Sequence, residues 1–363
     1  MVETQFEITR FPSSSNKSLK AWSAADEHML IAVEELKLET EKACIYNDRF
    51  GYLSLNVQAT EVYSIITHHS QKSAIDFNAS NNDLSSKIAY QYPLDKSENR
   101  NDLALIKVPK SLDLFELFLI DAVKQCKDNA VVICGFMTRH FTPQMITIAE
   151  RYFDNVVQSK AWKKSRTLHL TGPKQNENRT PINVIKYKTL EEKEAQLQQY
   201  YGVFSANHID YATQFLLEHL PQIKDDSIIM DLACGSGIIG KSVLERNPNI
   251  ELHLLDDSFL AIESCKLNIH NEGVNYHFAN NLDAIPKQNF DLVLCNPPFH
   301  FEHENTIEIA LSLFKGARRI MKEDGMFICV ANQHLNYYTH LTQYFSNIEK
   351  IGNSKFIVYR CKR

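Results

Sequence analysis

No apolar run in the chain approaches the roughly 18 residues that a membrane-crossing helix needs. Nor does the sequence open on a charged-then-apolar leader, because Met1–Arg10 alternates polar and apolar residues. The eight cysteines, at 44, 126, 134, 234, 265, 295, 329 and 361, are scattered, and no two have the spacing of a zinc knuckle. Most lie in or beside apolar segments, as buried free thiols do. These absences argue against a membrane span and a structural metal, and lead to the expectation of a reduced, cytoplasmic protein. A strong charge of either sign is also missing. The formal net charge is −5, with 24 Lys+Arg against 22 Asp+Glu in residues 1–190 and 15 against 22 in the remainder. A nucleic-acid partner would be held mainly by the first half, although an imbalance this small is ordinary on its own.

What is present is a globular composition, 44% hydrophobic and 23% charged, on a chain too long at 363 residues for one ordinary core. Two domains are expected, at about 1–175 and 180–363, joined near the polar stretch Gly172–Arg179. A charged, helix-like stretch follows around Leu190–Gln199, then an amphipathic helix from about Ile209 to Leu220 that Pro221 stops. From Ser227 onward strands and helices alternate, the pattern of a parallel sheet covered on both faces. The first half shows the same order, with strand candidates at Ala43–Tyr46, Val62–Ile66, Leu103–Val108 and Ala130–Gly135. Three landmark pairs recur at nearly constant separations. His68 falls opposite Asp256 (188), Leu105–Lys110 opposite Leu294–Phe299 (189), and Arg151–Val156 opposite Gln343–Ile348 (192). The expectation is α/β throughout: two tandem Rossmann-like folds with mostly parallel doubly wound sheets, the N-terminal one degenerate.

Asp231-Leu-Ala-Cys-Gly-Ser-Gly237 follows an apolar strand and opens a helix. With Gly240 it reads G-x-G-x-x-G, and Asp256 lies about 20 residues on, so a dinucleotide turn has to be weighed. Asp231, four residues before the first glycine, favours a different ligand. A carboxylate there suits an ammonium and repels a pyrophosphate, which points to S-adenosylmethionine. Asp256 ends the next strand and offers two oxygens to a ribose diol. Asn280-Asn281 could read an adenine with their amides, or simply form a turn.

Asn296-Pro297-Pro298-Phe299 directly follows the strand Asp291–Cys295, at the sheet edge where such folds bind ligands. An exocyclic amine is a poor nucleophile, because its lone pair is delocalised. The Asn296 oxygen and the Pro297 carbonyl could accept its two N–H bonds and aim the lone pair at a methyl donor. The prolines stiffen the loop, and Phe299 gives a planar group a face to stack on. Alignment is the main requirement, so no strong base is needed. His300-Phe-Glu-His303 has two histidines three apart but no evident third ligand, and no metal is expected.

With these residues in hand, the order Asp-x-x-Cys-Gly-x-Gly, Asp-Asp-Ser and Asn-Pro-Pro-Phe-His resembles the ribosomal RNA guanine-N2 methyltransferases, which pair an active copy of the fold with an inactive N-terminal one. Arg10-Phe-Pro12, Leu19–Glu27, Asn47–Gly51, Leu105–Lys110, Ala161–Lys164, the stretch from Asn207 with Asp210, and Val330–Tyr337 make the chain similar, over nearly its whole length, to the ribosomal RNA large subunit methyltransferase G family. The resemblance implies methylation of one guanine N2 in 23S rRNA. It also implies cofactor contacts from Ala233, Gly235, Gly237, Asp256 and Asp257, with Phe204 and Ser205 closing over the cofactor. Two departures stand out: Ala233 where the family usually has glycine, tolerable if its φ is negative, and Gln333 where a basic residue is usual. In the first half Lys107 and Lys110 stand where Asn296 and Phe299 would be. Together with Lys160, Lys163, Lys164, Arg166 and His300 they are expected to contact RNA, with Trp162 either beside RNA or in the core. A duplex guanine would have to be flipped out. A 16S rRNA target, methylation of a protein glutamine amide, a non-enzymatic RNA-binding subunit and a NAD oxidoreductase are the competing readings, in falling order. Oligomeric state is unreadable.

Overall fold

The computed structural model describes residues 6–13, 18–84, 88–95, 100–174, 179–189, 191–287, 289–298 and 307–363. The chain divides into two compact units, Met1–Pro181 and Ile182–Arg363. The first contains β1 (Lys42–Tyr46), β2 (Glu61–Ile65), β3 (Ile88–Gln91), β4 (Asn101–Lys107), β5 (Cys126–Met137), β6 (Phe153–Gln158) and β7 (Ser165–Pro173). Its helices are α1 (Ala24–Leu36), α2 (Tyr52–Asn56), α3 (His69–Asn81), α4 (Leu112–Gln125) and α5 (Pro143–Tyr152). The second opens with the hairpin β8 (Ile182–Lys188) and β9 (Glu194–Tyr200). It continues through β10 (Ile228–Leu232), β11 (Glu251–Asp256), β12 (Val274–Phe278), β13 (Phe290–Cys295), β14 (Met321–Asn332), β15 (Asn347–Gly352) and β16 (Phe356–Lys362). Helices α6 (Tyr211–Glu218), α7 (Ile238–Arg246), α8 (Phe259–Asn268), α9 (Ile307–Ile320) and α10 (Tyr338–Leu341) complete it.

Each unit holds one seven-stranded sheet, and the two orders are the same: β3-β2-β1-β4-β5-β7-β6 and β12-β11-β10-β13-β14-β16-β15. The first five strands of each run parallel, and β7 and β16 enter antiparallel. In both sheets the order reverses beside the first strand, which leaves a crevice at its carboxyl end. The central strands of the second unit are apolar on both faces. Ile229, Leu292 and Leu294 join one core layer with Ile239, Val243, Leu252 and Leu254. Met230, Leu232, Val293 and Cys295 join the other with Phe314 and Phe327. Strands buried on two faces therefore read as unbroken hydrophobic runs. All eight cysteines are buried and none is in a disulfide. Among the described residues no helix is long and apolar enough to cross a membrane.

Sheet register tests the expected duplication residue by residue. Tyr46 lies beside Ile65 and Ile106, and Leu232 beside Leu255 and Cys295. The next residues are therefore equivalent, placing Lys107 opposite Asn296 as expected, but Ile66 rather than His68 opposite Asp256. His68 instead precedes α3, as Ser258 precedes α8. The second unit has four more residues between its first and second strands, which sets the separation at 190 rather than 188. Further along, Ile106 leads across the sheet to Cys134, Leu168 and Gln158, and Cys295 to Cys329, Tyr359 and Lys350. Gln158 and Lys350 are 192 positions apart, as the third landmark pair implied.

An asparagine on the third helix of each unit repeats a whole set of bonds. Asn268 donates to Ser236 O (3.1 Å) and Gln198 O (2.7 Å), and accepts from Gln198 N (2.8 Å). Asn78 donates to Phe50 O (2.9 Å) and Thr9 O (2.9 Å), and accepts from Thr9 N (2.9 Å). Each clips an entering segment to the turn after the first strand.

Two local expectations need correction. The charged stretch before Gln199 is the strand β9, not a helix; its burial alternates, with Leu197 and Gln199 facing in. Leu190 itself lies outside the described residues. Gly172 and Pro173 belong to β7 rather than to a connection, and Arg179 is still tied to the first unit through Glu116 at 3.2 Å.

Candidate active site

The turn after β10 is left-handed at three places: φ is +59° at Ala233, +54° at Gly235 and +82° at Gly237. Ala233 therefore does not have the negative φ that would have made alanine harmless. A side chain in this region costs on the order of 1 kcal/mol. Gly237 has no room for a Cβ, which would meet Cys265 Sγ at 2.9 Å, while nothing lies within 4 Å of one built on Gly235. The backbone at Gly235 is thus open to a ligand. At Gly240 a Cβ would sit 2.6 Å from Leu254, so this glycine lets α7 pack on the sheet.

Asp231 is fully buried below this turn. Its Oδ2 accepts from Gly240 N at 2.9 Å, while its Oδ1 is buried with no partner. Desolvation pushes its carboxyl up to about 7, against the Gly240 N–H, which lowers it, with the nearby Asp256 raising it further. Asp256 is half-buried. It accepts from Gly235 N (2.9 Å) with one oxygen and from Ser258 N (2.8 Å) with the other. Asp257 is half-buried next to it. Asn281 is exposed and serves the local turn, accepting from Asp283 N at 2.9 Å and donating to Asn280 Oδ1 at 3.2 Å. Phe204 is 64% exposed, and its carbonyl accepts from the buried Gln199 amide at 3.3 Å. Ser205 has φ +61° and donates to His208 O at 2.5 Å.

Asn296 follows β13 at the same edge. Its amide nitrogen donates to Asp210 Oδ2 (3.1 Å) and Thr213 Oγ1 (2.8 Å), and its Oδ1 is buried with no partner. Pro297 is buried and Pro298 half-buried. Phe299, His300 and His303 lie outside the described residues. Asp210 and Thr213 were missed from sequence as site residues, although the N-cap position of Asp210 before an apolar-periodic helix marks the start of α6.

In the first unit the corresponding turn keeps two of the three left-handed positions but not the chemistry. Asn47 has φ +59° and Gly51 +87°, matching Ala233 and Gly237. Ile45 stands for Asp231, Arg49 for Gly235, Ile66 for Asp256 and Lys107 for Asn296. Both isoleucines are fully buried. Lys107 is not presented to solvent as a free cation: its ammonium meets the buried Asp26 at 2.9 Å. Lys110, Lys160, Lys163 and Lys164 are exposed. Lys163 lies over the Trp162 ring at 4.3 Å and pairs with Glu27 at 3.1 Å. Trp162 is half-buried, and Arg166 is held by Gln158 at 2.9 Å. Among the described residues no three His, Cys, Asp or Glu side chains gather as a metal site would need.

The buried unpartnered Asp231 oxygen, the open backbone at Gly235 and the strand-ending Asp256 fit a ligand carrying an ammonium and a ribose. A family model described as the methyltransferase small domain matches residues 194–360. Fold and site together define an S-adenosylmethionine-dependent methyltransferase. A second model, the RLMG N-terminal domain, matches residues 1–174. Ribosomal RNA large subunit methyltransferase G of Vibrio parahaemolyticus is 30% identical over 98% of this chain and 94% of that protein. Its namesake in Colwellia psychrerythraea is 30% identical over 96% and 95%. The chain belongs to the ribosomal RNA large subunit methyltransferase G family. Its fold is also that of a T. thermophilus 16S rRNA N2 methyltransferase solved in complex with AdoMet and guanosine, with TM-score 0.80 and 17% identity, covering 99% of this chain and 98% of that one.

Proposed function

We propose that this enzyme is an rRNA methyltransferase that places a methyl group on the exocyclic N2 of one guanine in 23S rRNA. The observation that carries the chemistry is Asn296, whose amide nitrogen is tied down while its oxygen is buried with nothing to accept from. A buried acceptor without a donor costs on the order of 1–3 kcal/mol, so a substrate N–H that fills it is favoured there.

S-adenosylmethionine, when bound, supplies an electrophilic methyl on a sulfonium. Asp231 Oδ1 would hold its ammonium, Asp256 its ribose hydroxyls, and the Gly235 backbone would lie against it, with Asn280 and Asn281 near the adenine. Asn296 Oδ1 and the Pro297 carbonyl would accept the two amine N–H bonds and turn the lone pair toward the methyl. The transfer the cofactor would supply leaves the bonding electrons on sulfur as the methyl passes to the amine, and one amine proton would go to solvent. Positioning rather than base strength sets the rate. Phe299 and His300 belong to this proposal through the family resemblance alone.

The 23S target is supported by the names of the relatives. RNA would be held by the exposed Lys110, Lys160, Lys163 and Lys164, with Trp162 as a stacking face. The reading places the enzyme in the cytoplasm. Tritiated-methyl transfer to 23S rRNA, 16S rRNA and protein fractions from cells lacking the gene tests the substrate; label in 16S rRNA or protein alone would overturn it. Asn296→Ala is expected to abolish transfer while leaving S-adenosylmethionine affinity, measured by calorimetry, near wild type. Wild-type turnover would overturn the mechanism.

A further inference from the structure

A primary amide can face a substrate with either end. An NH2 turned toward an amine would repel its N–H groups, so the acceptor role of Asn296 requires one of two orientations. In water the two interconvert. Here Asp210 Oδ2 lies 3.1 Å and Thr213 Oγ1 2.8 Å from the amide nitrogen, and a carboxylate can only accept. The reverse orientation would set the Asn296 oxygen against the Asp210 carboxylate. Both partners sit at the start of α6: Asp210 is its N-cap, accepting from Thr213 N at 3.1 Å with the same oxygen, and Thr213 is three residues on, 5% exposed.

The first unit keeps this contact between the same two elements with different groups. Asp26, three residues after the N-cap Ser23 of α1, is the equivalent of Thr213, and it holds the ammonium of Lys107, the equivalent of Asn296. The fold therefore pairs a donor after the fourth strand with an acceptor on the first helix in both copies. Only in the second does the donor group carry an acceptor at its far end.

We propose that Asp210 and Thr213 are positioning residues that lock the Asn296 amide with its oxygen toward the substrate amine. The inference rests on Asn296 being the acceptor proposed above. Asp210→Ser retains an N-cap but is too short to reach Asn296, and Thr213→Val removes the hydroxyl at similar size. The double variant Asp210→Ser/Thr213→Val is expected to lower kcat by roughly 10- to 100-fold, as misoriented reacting groups do, with S-adenosylmethionine affinity unchanged. The conservative double variant Asp210→Asn/Thr213→Ser keeps both acceptors and is expected to restore most of kcat. A purely structural role would instead show as a lowered Tm and weaker cofactor binding, tracking kcat in both variants. Wild-type kcat in the Ser/Val double variant, or that parallel loss, would overturn the proposal. Asn296→Ala measured alongside separates the two levels: if it retains turnover, the acceptor reading fails first, and if it is inactive while the Ser/Val variant is not, only the positioning fails.

Discussion

Asp231 carries an ionisation that should be visible in cofactor binding. Burial raises its carboxyl to about 7, so the folded chain holds a proton there that the unfolded chain has released above about pH 4. The stability this group contributes is therefore present below that pH, declines as pH rises toward 7, and is level beyond. An ammonium at Oδ1 requires the charged form. S-adenosylmethionine affinity is then expected to rise about fivefold between pH 6 and 7 and by about twofold at most above, with proton uptake or release followed by calorimetry in buffers of different ionisation enthalpy. Asp231→Asn should bind weakly with no slope across this range; a slope that survives would place the titrating group elsewhere. Asp231, Asp256 and Asn296 were legible from sequence because each directly ends or follows an apolar strand. Asp210 and Thr213 were not, because they lie 86 and 83 residues from Asn296 and only the sheet brings them together. The φ of Ala233 was likewise invisible, since nothing local in Leu-Ala-Cys-Gly demands a left-handed alanine.

Elements were read best where one pattern dominates. The two-face burial of β10 and β13 makes them continuous apolar runs; α7 opens directly after the glycine turn, and β13 ends at Cys295, both as expected. β9 was misread because Glu194–Gln199 is rich in helix-forming residues. Pairing with β8 and the grip of Asn268 on Gln198 outweigh that propensity. The paired clips offer a comparison between elements. Asn268→Ala and Asn78→Ala each remove a similar set of bonds and should each lower stability by about 1–3 kcal/mol in urea unfolding. Asn268→Ala should also weaken S-adenosylmethionine binding, because Ser236 sits in the cofactor turn, whereas Asn78→Ala should leave it intact. Equal effects on affinity would show that the clip does not act through the turn.

At the scale of the whole molecule, charge divides less sharply than a cut at residue 190 suggests. Met1–Pro181 holds 22 basic and 22 acidic residues, and Ile182–Arg363 holds 17 and 22, because Lys186 and Lys188 belong to the second unit. A local cluster, not net charge, would have to draw RNA to the first unit. Each unit has its own complete sheet, so the fragment Ile182–Arg363 is expected to fold and to bind S-adenosylmethionine as the full chain does. It should lose most of its affinity for 23S rRNA in filter binding at fixed salt. Full RNA affinity in the fragment would move recognition to the catalytic unit.

The twin turns bear on how such sites are found. A search guided by left-handed turn positions after the first strand would count two nucleotide loops in this chain, since Asn47 and Gly51 share the positive φ of Ala233 and Gly237. A search guided by carboxylates would count one, because Ile45 and Ile66 have erased the other. Loop geometry is inherited as scaffold and outlives its ligand. In a duplicated protein the acids at the strand ends, more than the glycines between them, mark the copy that still works.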